Sequence, residues 1–333
     1  MAALPAVRVT DLSVEFRRGA GWVSVVSGVS FELWRSRTLG LVGESGSGKT
    51  VTSMATMGLI SGMGGRISRG SIEMNGVELL QQTERQWNRI RGRSIGIVFQ
   101  QPMRSFNPAF TVGDQIAESA RHHLGMTRRA AWNRSVELLD RVEIPDSARR
   151  ANDYPHSYSG GMLQRAMIAM SLVCDPDVLI ADEPTTALDV TVQAGILRLL
   201  ESLQRENGLA ILFVTHDLGI VAEICHDVCV MYAGQIVEQC ATRQLLMTPK
   251  HPYSAGLLAA VPRAGWRGRL EAIRGTVPDM HALPPGCRFG SRCDYMVRGR
   301  CDAGPIELQR VAGNSAIRCA RSEELSLRGV EQS

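Results

Sequence analysis

The chain has 333 residues, 44% of them hydrophobic and 21% charged, with a formal net charge of +4 and eight cysteines. These figures describe a globular protein with room for two domains, or one large domain and an appendage. The small charge argues against the basic face that nucleic-acid binding requires, and no apolar run approaches the ~20 residues of a membrane span. The opening residues, MAALPAVRVTDLSVEF, lack the basic region and apolar core of a secretion signal. A cytosolic chain that meets membranes only through partners is therefore expected. Its cysteines are expected to serve metal or redox chemistry where they cluster, rather than a disulfide framework.

Val7, Val9, Leu12, Val14 and Phe16, then Val23, Val25, Val29 and Phe31, alternate with polar residues, which predicts an antiparallel β layer turning at Arg17–Gly21. Phe16 and Trp22 are the aromatic residues that either stack on a nucleotide base or fill the core there. The apolar run Thr38–Val42 leads into GESGSGKT, Gly43–Thr50, and a helix is predicted from Val51 to Ile60. Strand, glycine loop with G-x4-G-K-T spacing, and helix are the context of a phosphate-binding P-loop. Three glycines let the backbone curl so that successive N–H groups face one anion, and the helix N-terminus adds its free donors. The residues expected on the nucleotide are Gly43, Ser45, Gly46, Ser47, Gly48, Lys49, Thr50 and Val51. Lys49 reaches the β- and γ-phosphates and the Thr50 hydroxyl ligates Mg²⁺. Only Lys49 and Lys250 are lysines among 37 Lys and Arg residues, which suits a site wanting a compact ammonium.

Glycines between Gly58 and Gly65 end the P-loop helix. Ser71–Gly76 reads as a strand and turn, and Ile95–Phe99 as a strand with Gln100 at its end. A helical insertion follows over 110–150. Ser159-Gly160-Gly161 opens another helix in a geometry suited to an anion, as well as to ordinary helix initiation. Val178–Ala181 is a continuous apolar strand, as expected inside a parallel sheet, and ends in Asp182-Glu183 at the edge where open α/β sheets bind ligands. Asp182 is expected to hold Mg²⁺ through water and Glu183 to orient or deprotonate the attacking water. Leu209–Thr215 is a second buried strand with His216 at its tip, placed for the γ-phosphate. A hairpin is predicted around Ala233-Gly234.

In this order, Gly43–Thr50, Gln100, Ser159-Gly160-Gly161, Val178–Glu183, Ala187-Leu188-Asp189 and His216 resemble the motif series of ABC-transporter ATPases, over roughly Val7 to Gln239. The resemblance implies an α/β fold: a P-loop ABC ATPase with a RecA-like core, an antiparallel β layer, a helical subdomain over about 103–172, and a small cysteine-containing C-terminal extension. It implies that Gln100 senses Mg²⁺ and the membrane partner, and that Ser159, Gly160 and Gly161 close over ATP held by an opposite subunit. It also implies that Asp189 links the two sites and that Phe16 stacks on adenine. The signature reads YSGGM, with Tyr158 and Met162 where LSGGQ is common.

IVFQQPMRSFNP (Ile97–Pro108), YPHSYSGGM (Tyr154–Met162), HPYSAGLLAAVP (His251–Pro262) and PPGCRF (Pro284–Phe289) further resemble the ATPase subunits of bacterial dipeptide and oligopeptide importers. An ATPase domain over 1–250 and an importer-type region over 251–333 are expected. The implied partners are a second related ATPase, two integral-membrane permeases and, indirectly, an extracytoplasmic solute-binding protein, at the cytoplasmic face of the inner membrane. Nucleic acid is not among them. Nickel, opines or oligosaccharides are alternative cargoes; a soluble ABC ATPase is the other class. Cys287, Cys293, Cys301 and Cys319 suit a [4Fe–4S] cluster, by likeness to a cluster-binding set in this family, with Zn²⁺ or four free thiols as alternatives. Cys174, Cys225, Cys229 and Cys240 read as small buried apolar residues.

Overall fold

Strand periodicity in the first thirty residues carries one skip, from Val9 to Leu12, and the backbone shows why. β1 (Val7–Arg18) pairs antiparallel with a later strand, and their register shifts between Thr10 and Ser13 around Asp11, whose φ is 52°. This bulge returns Leu12 and Val14 to the buried face that Val7 and Val9 occupy. The computed structural model describes residues 4–19, 21–186, 188–261, 272–311 and 315–329; Ala20, Ala187 and Pro262 lie outside them.

In chain order, β2 (Gly21–Leu33) and β3 (Thr38–Val42) precede α1 (Lys49–Thr56), β4 (Gly65–Met74), β5 (Val77–Glu78), α2 (Glu84–Ile90) and β6 (Ile95–Val98). The helical insertion holds α3 (Pro102–Ser105), α4 (Val112–Leu124), α5 (Arg128–Arg141), α6 (Ser147–Arg150) and α7 (Gly160–Leu172). Then come β7 (Val178–Asp182), α8 (Val190–Asn207), β8 (Ala210–Thr215), α9 (Leu218–Ile224), β9 (Asp227–Tyr232), β10 (Gln235–Ala241), α10 (Thr242–Met247), α11 (Pro252–Ala259), β11 (Gln309–Arg310) and β12 (Ala316–Ile317). α1 stops at Thr56, short of the expected Ile60, because Gly58 turns the chain at a φ of 65°.

The chain divides into two compact units. One comprises Met1–Ala6, Leu33–Arg37 and Glu78–Phe213. In it β6 and β7 run parallel with Val98 opposite Ala181, so the ends of both strands emerge at one edge. β7 is buried throughout, as its apolar sequence requires. Thr111 and Thr127 cap α4 and α5, and Leu138 and Leu139 of α5 are buried against the rest of the helical insertion.

The other unit comprises Val7–Glu32, Thr38–Val77 and Val214–Ser333. β1 and β4 belong to its antiparallel layer. A second sheet holds β3 parallel to β9, with β9, β10, β12 and β11 following as antiparallel neighbours. The tail is thus built into the sheet: Ile317 and Ala316 pair with Glu238 and Gln239. The predicted hairpin is β9–β10, turning at Ala233 and Gly234, with φ of 44° and 81°.

Candidate functional site

The sheet unit carries the phosphate loop. β3 is buried over all five residues and delivers Gly43 against β9. A Cβ on Gly43 would lie 2.2 Å from the Met231 carbonyl oxygen and 2.9 Å from Ser47 Oγ, so only glycine passes. Ser47 N donates to Glu44 O at 3.2 Å, and Gly234 N donates to Ser47 O at 2.9 Å, fixing the curl from both sides. Lys49 is buried and its Nζ donates to Gly43 O at 2.8 Å and Glu44 O at 3.1 Å, holding the ammonium across the loop.

Two features fit this cradle to an anion. α1 opens on Gly48 with no side-chain cap, and a helix N-terminus turns its N–H groups and positive dipole end toward an anion. Ser47 Oγ is buried without a hydrogen-bond partner, a costly condition that a phosphate oxygen would relieve. Ser45, Gly46 and Thr50 are exposed on the loop surface.

Phe16 and Val51 line one cavity of about 700 Å³ beside the loop, within the size range of small-ligand pockets. Trp22 is instead engaged by Arg66, whose guanidinium carbon sits 4.1 Å from its ring centroid, leaving Phe16 as the aromatic on the cavity wall. Sequence reasoning missed three further lining residues, Asp279, Met280 and His281. They come from the C-terminal region, and nothing in their spacing marks them.

The HPY motif also acquires a physical role. Glu238 of β10 is fully buried and accepts the N–H groups of Lys250 (2.8 Å) and His251 (2.9 Å). His251 caps α11, its Nδ1 accepting from Tyr253 N at 3.1 Å. Burial holds its imidazole down to about 3, so it is neutral and the cap persists at physiological pH. Tyr253 then turns its hydroxyl to accept the Glu44 N–H at 2.8 Å. His216, the other sequence candidate in this unit, is exposed directly after β8.

The helical unit carries the carboxylates. Gln100, after β6, donates from Nε2 to Glu183 Oε2 at 2.9 Å, and Thr186 Oγ1 donates to the same oxygen at 3.0 Å. The parallel register of β6 and β7 brings this pair together from positions 83 residues apart. Asp182 ends β7 and is buried. Glu183 takes a φ of 48°, a left-handed backbone that costs a non-glycine residue of order 1 kcal/mol and is concentrated at functional sites.

Ser159 caps α7, its Oγ accepting from Met162 N at 3.3 Å, and Ser159 and Gly160 are exposed. A Cβ on Gly160 would meet open space, whereas one on Gly161 would lie 2.7 Å from Val192 Cγ1. Gly161 is therefore also required by the packing of α7 on α8. Tyr158 is a core residue whose hydroxyl donates to Arg150 O at 2.8 Å; burial pushes its phenol up to about 12. Asp189 caps α8, accepting from Val192 N at 3.0 Å.

Cys287, Cys293, Cys301 and Cys319 line a single pocket in the sheet unit, walled by Phe289, Tyr295 and Met296 among others. Burial raises the Cys287 and Cys319 thiols and pushes Cys293 up to about 11, so without a ligand they stay protonated. Among the described residues, no three His, Cys, Asp or Glu side chains form a group placed to hold a single metal ion. Cys174, Cys225, Cys229 and Cys240 are buried free thiols, as the sequence implied.

A phosphate loop between a buried parallel strand and a helix, with a layered sheet and a helical insertion, defines a P-loop ATPase cassette. Residues 26–186 match the ABC transporter family and residues 237–301 the oligopeptide/dipeptide transporter C-terminal region. A peptide import ATP-binding protein of Brucella melitensis is 48% identical, over 98% of this chain and 100% of its own length. Another, from Brucella abortus, is 45% identical over 95% of this chain and 94% of its own. Among solved structures, the dimeric bacterial ABC transporter cassette MJ0796 superposes with a TM-score of 0.64 at 24% identity, covering 71% of this chain and 99% of that one. Clostridium perfringens cbiO1, part of the ABC transporter complex cbiONQ, gives 0.62 at 26% identity, covering 72% and 90%. The chain belongs to the ABC transporter family and is an ABC-type ATPase. No helix among the described residues is long and apolar enough to cross a membrane.

Proposed function

We propose that this chain is the ATP-hydrolysing subunit of a bacterial di- or oligopeptide importer, bound peripherally at the cytoplasmic face of the inner membrane. It pairs with a second, related ATPase and drives two integral-membrane permeases supplied by an extracytoplasmic solute-binding protein. One observation carries this reading: an intact phosphate loop joined to an oligopeptide/dipeptide-type C-terminal region, in a chain 48% identical to a peptide import ATP-binding protein over 98% of its length. In this reading Gly43 and Ser45–Val51 hold the phosphates of ATP, Phe16 stacks on adenine, and Thr50, Gln100 and Asp182 hold Mg²⁺. The ion, when bound, neutralises phosphate charge. Glu183 orients and deprotonates the attacking water, and His216 steadies the γ-phosphate. Ser159, Gly160, Gly161 and Asp189 serve the ATP of the partner ATPase, a role that suits the exposed Ser159 and Gly160.

Affinity purification of the tagged chain from detergent-solubilised membranes tests the assembly. Two permeases and a second ATPase are expected to accompany it. An active ATPase that purifies with no membrane protein would overturn the reading.

In the same proposal Cys287, Cys293, Cys301 and Cys319 hold a [4Fe–4S] cluster. Four thiols on one pocket support it. Zn²⁺ held by the same four thiolates is the alternative. Loading would release the thiol protons. Purified without oxygen, the protein is expected to be brown with about four irons per chain, and Cys319→Ser to lose the colour. A colourless, zinc-containing protein would contradict the cluster.

A further inference from the structure

The cysteine pocket and the phosphate loop are joined by two arginines. Cys287 N donates to Cys301 O at 2.8 Å, Gly290 N to Cys287 O at 2.9 Å, and Cys293 N to Gly290 O at 3.2 Å. The segment Cys287–Cys293 is therefore wound tightly between two pocket cysteines, and Arg288 and Arg292 sit one position inside each end. Arg292 grips Glu44, the second residue of the loop, with both prongs: Nη1 to Oε2 at 2.6 Å and Nη2 to Oε1 at 2.9 Å. Its side chain is only 4% exposed. Nε donates to Arg274 O at 2.7 Å, Nη1 also reaches Tyr232 Oη at 3.3 Å, and the guanidinium lies 5.7 and 5.9 Å from the Tyr232 and Phe289 ring centroids. A planar fork held on so many sides has little freedom to turn.

Arg288 reaches the loop by a second route. Its Nη1 donates to Ala233 O in the β9–β10 turn, and the next residue, Gly234, donates its N–H to Ser47 O at 2.9 Å. Glu44 is thus fixed at its side chain by Arg292 and at its N–H by Tyr253, while Ser47 is fixed through Arg288 and the turn. These two loop residues bracket the curl whose N–H groups must converge on one phosphate. The ATPase chemistry does not use Arg288 or Arg292, and a tail that merely covered the sheet would not need a bidentate ion pair from a buried arginine to the half-buried Glu44 of the loop.

Resting on the ATP-binding reading above, we infer that Arg292 and Arg288 are positioning residues for the phosphate loop. The four-cysteine pocket sets segment 287–293, that segment sets the loop, and nucleotide affinity depends on the integrity of the pocket. The dependence runs through this chain's own side chains.

The test is fluorescent-ATP titration of the full-length chain, with thermal melting to confirm folding. Arg292→Met is expected to raise the Kd about tenfold or more, since displacing a binding group by about 1 Å can cost up to a hundredfold. Arg292→Lys, which keeps the charge but loses the fork, is expected to fall between wild type and Arg292→Met. Glu44→Gln is expected to weaken binding similarly, and the Glu44→Gln/Arg292→Met pair to be no worse than the more affected single variant. Cys319→Ser, outside the segment, is expected to raise the Kd as well. If Arg292→Met does not fold, Glu44→Gln and Arg292→Lys read the same contact. Folded variants with wild-type Kd, or a double variant whose losses simply add, would overturn the inference. A wild-type chain that binds no ATP would instead refute the reading beneath it.

Discussion

Glu183→Gln is expected to bind ATP within about threefold of wild type while turning it over about 10²–10⁴ times more slowly, the range in which a general base contributes. The substitution keeps the volume and an acceptor at the position that takes hydrogen bonds from Gln100 (2.9 Å) and Thr186 (3.0 Å). It removes the negative charge and the basicity. The left-handed backbone at Glu183 costs the fold energy that better local residues would spare, and a purely structural acid after β7 would have no reason to keep it. In the proposed mechanism nucleotide affinity resides in the phosphate loop, so it is expected to survive. Steady-state phosphate release and nucleotide titration on one preparation separate the two effects. Unchanged turnover would remove Glu183 from its role.

Gly43→Ala is expected to abolish measurable ATP binding, with a loss of more than about a hundredfold, as for a binding group displaced by about 1 Å or more. The new methyl would sit 2.2 Å from a backbone carbonyl in β9, which cannot rotate away, so β3 or the loop must shift. Gly46 offers a control within the same loop. A Cβ there meets no atom within 4 Å, but φ is +79°, so Gly46→Ala carries only the left-handed penalty of roughly 1–2 kcal/mol, about 5–30-fold if borne by the bound loop. The predicted order is Gly43→Ala far worse than Gly46→Ala, measured by nucleotide titration with melting curves alongside. Equal losses would mean that the close approach of Gly43 to Met231 does not govern the loop.

Much of this architecture was legible because local patterns and one-dimensional spacing encode it. The phosphate loop declares itself through glycines and flanking periodicity. The skip between Val9 and Leu12 records a bulge. The pairing of Gln100 with Glu183 follows once β6 and β7 are known to be parallel neighbours. What escaped the sequence is the work of the tail. Tyr253 meets Glu44 from 209 residues away and Arg292 from 248, and neither contact has a periodicity or a motif that names its partner. Asp279, Met280 and His281 reach the Phe16 cavity with as little warning. The dual duty of Gly161, phosphate contact in the proposed mechanism and clearance for Val192 in the fold, arises only where α7 packs on α8.

The central claim is that hydrolysis at this chain's own phosphate loop drives peptide across a membrane. Uptake of labelled peptide by proteoliposomes bearing the full complex, with binding protein outside and MgATP inside, addresses it directly. The account predicts ATP-dependent accumulation that stops when Glu183→Gln is introduced into this subunit alone. Uptake that continues undiminished with that variant, or a complex that hydrolyses ATP yet moves no peptide, would contradict it.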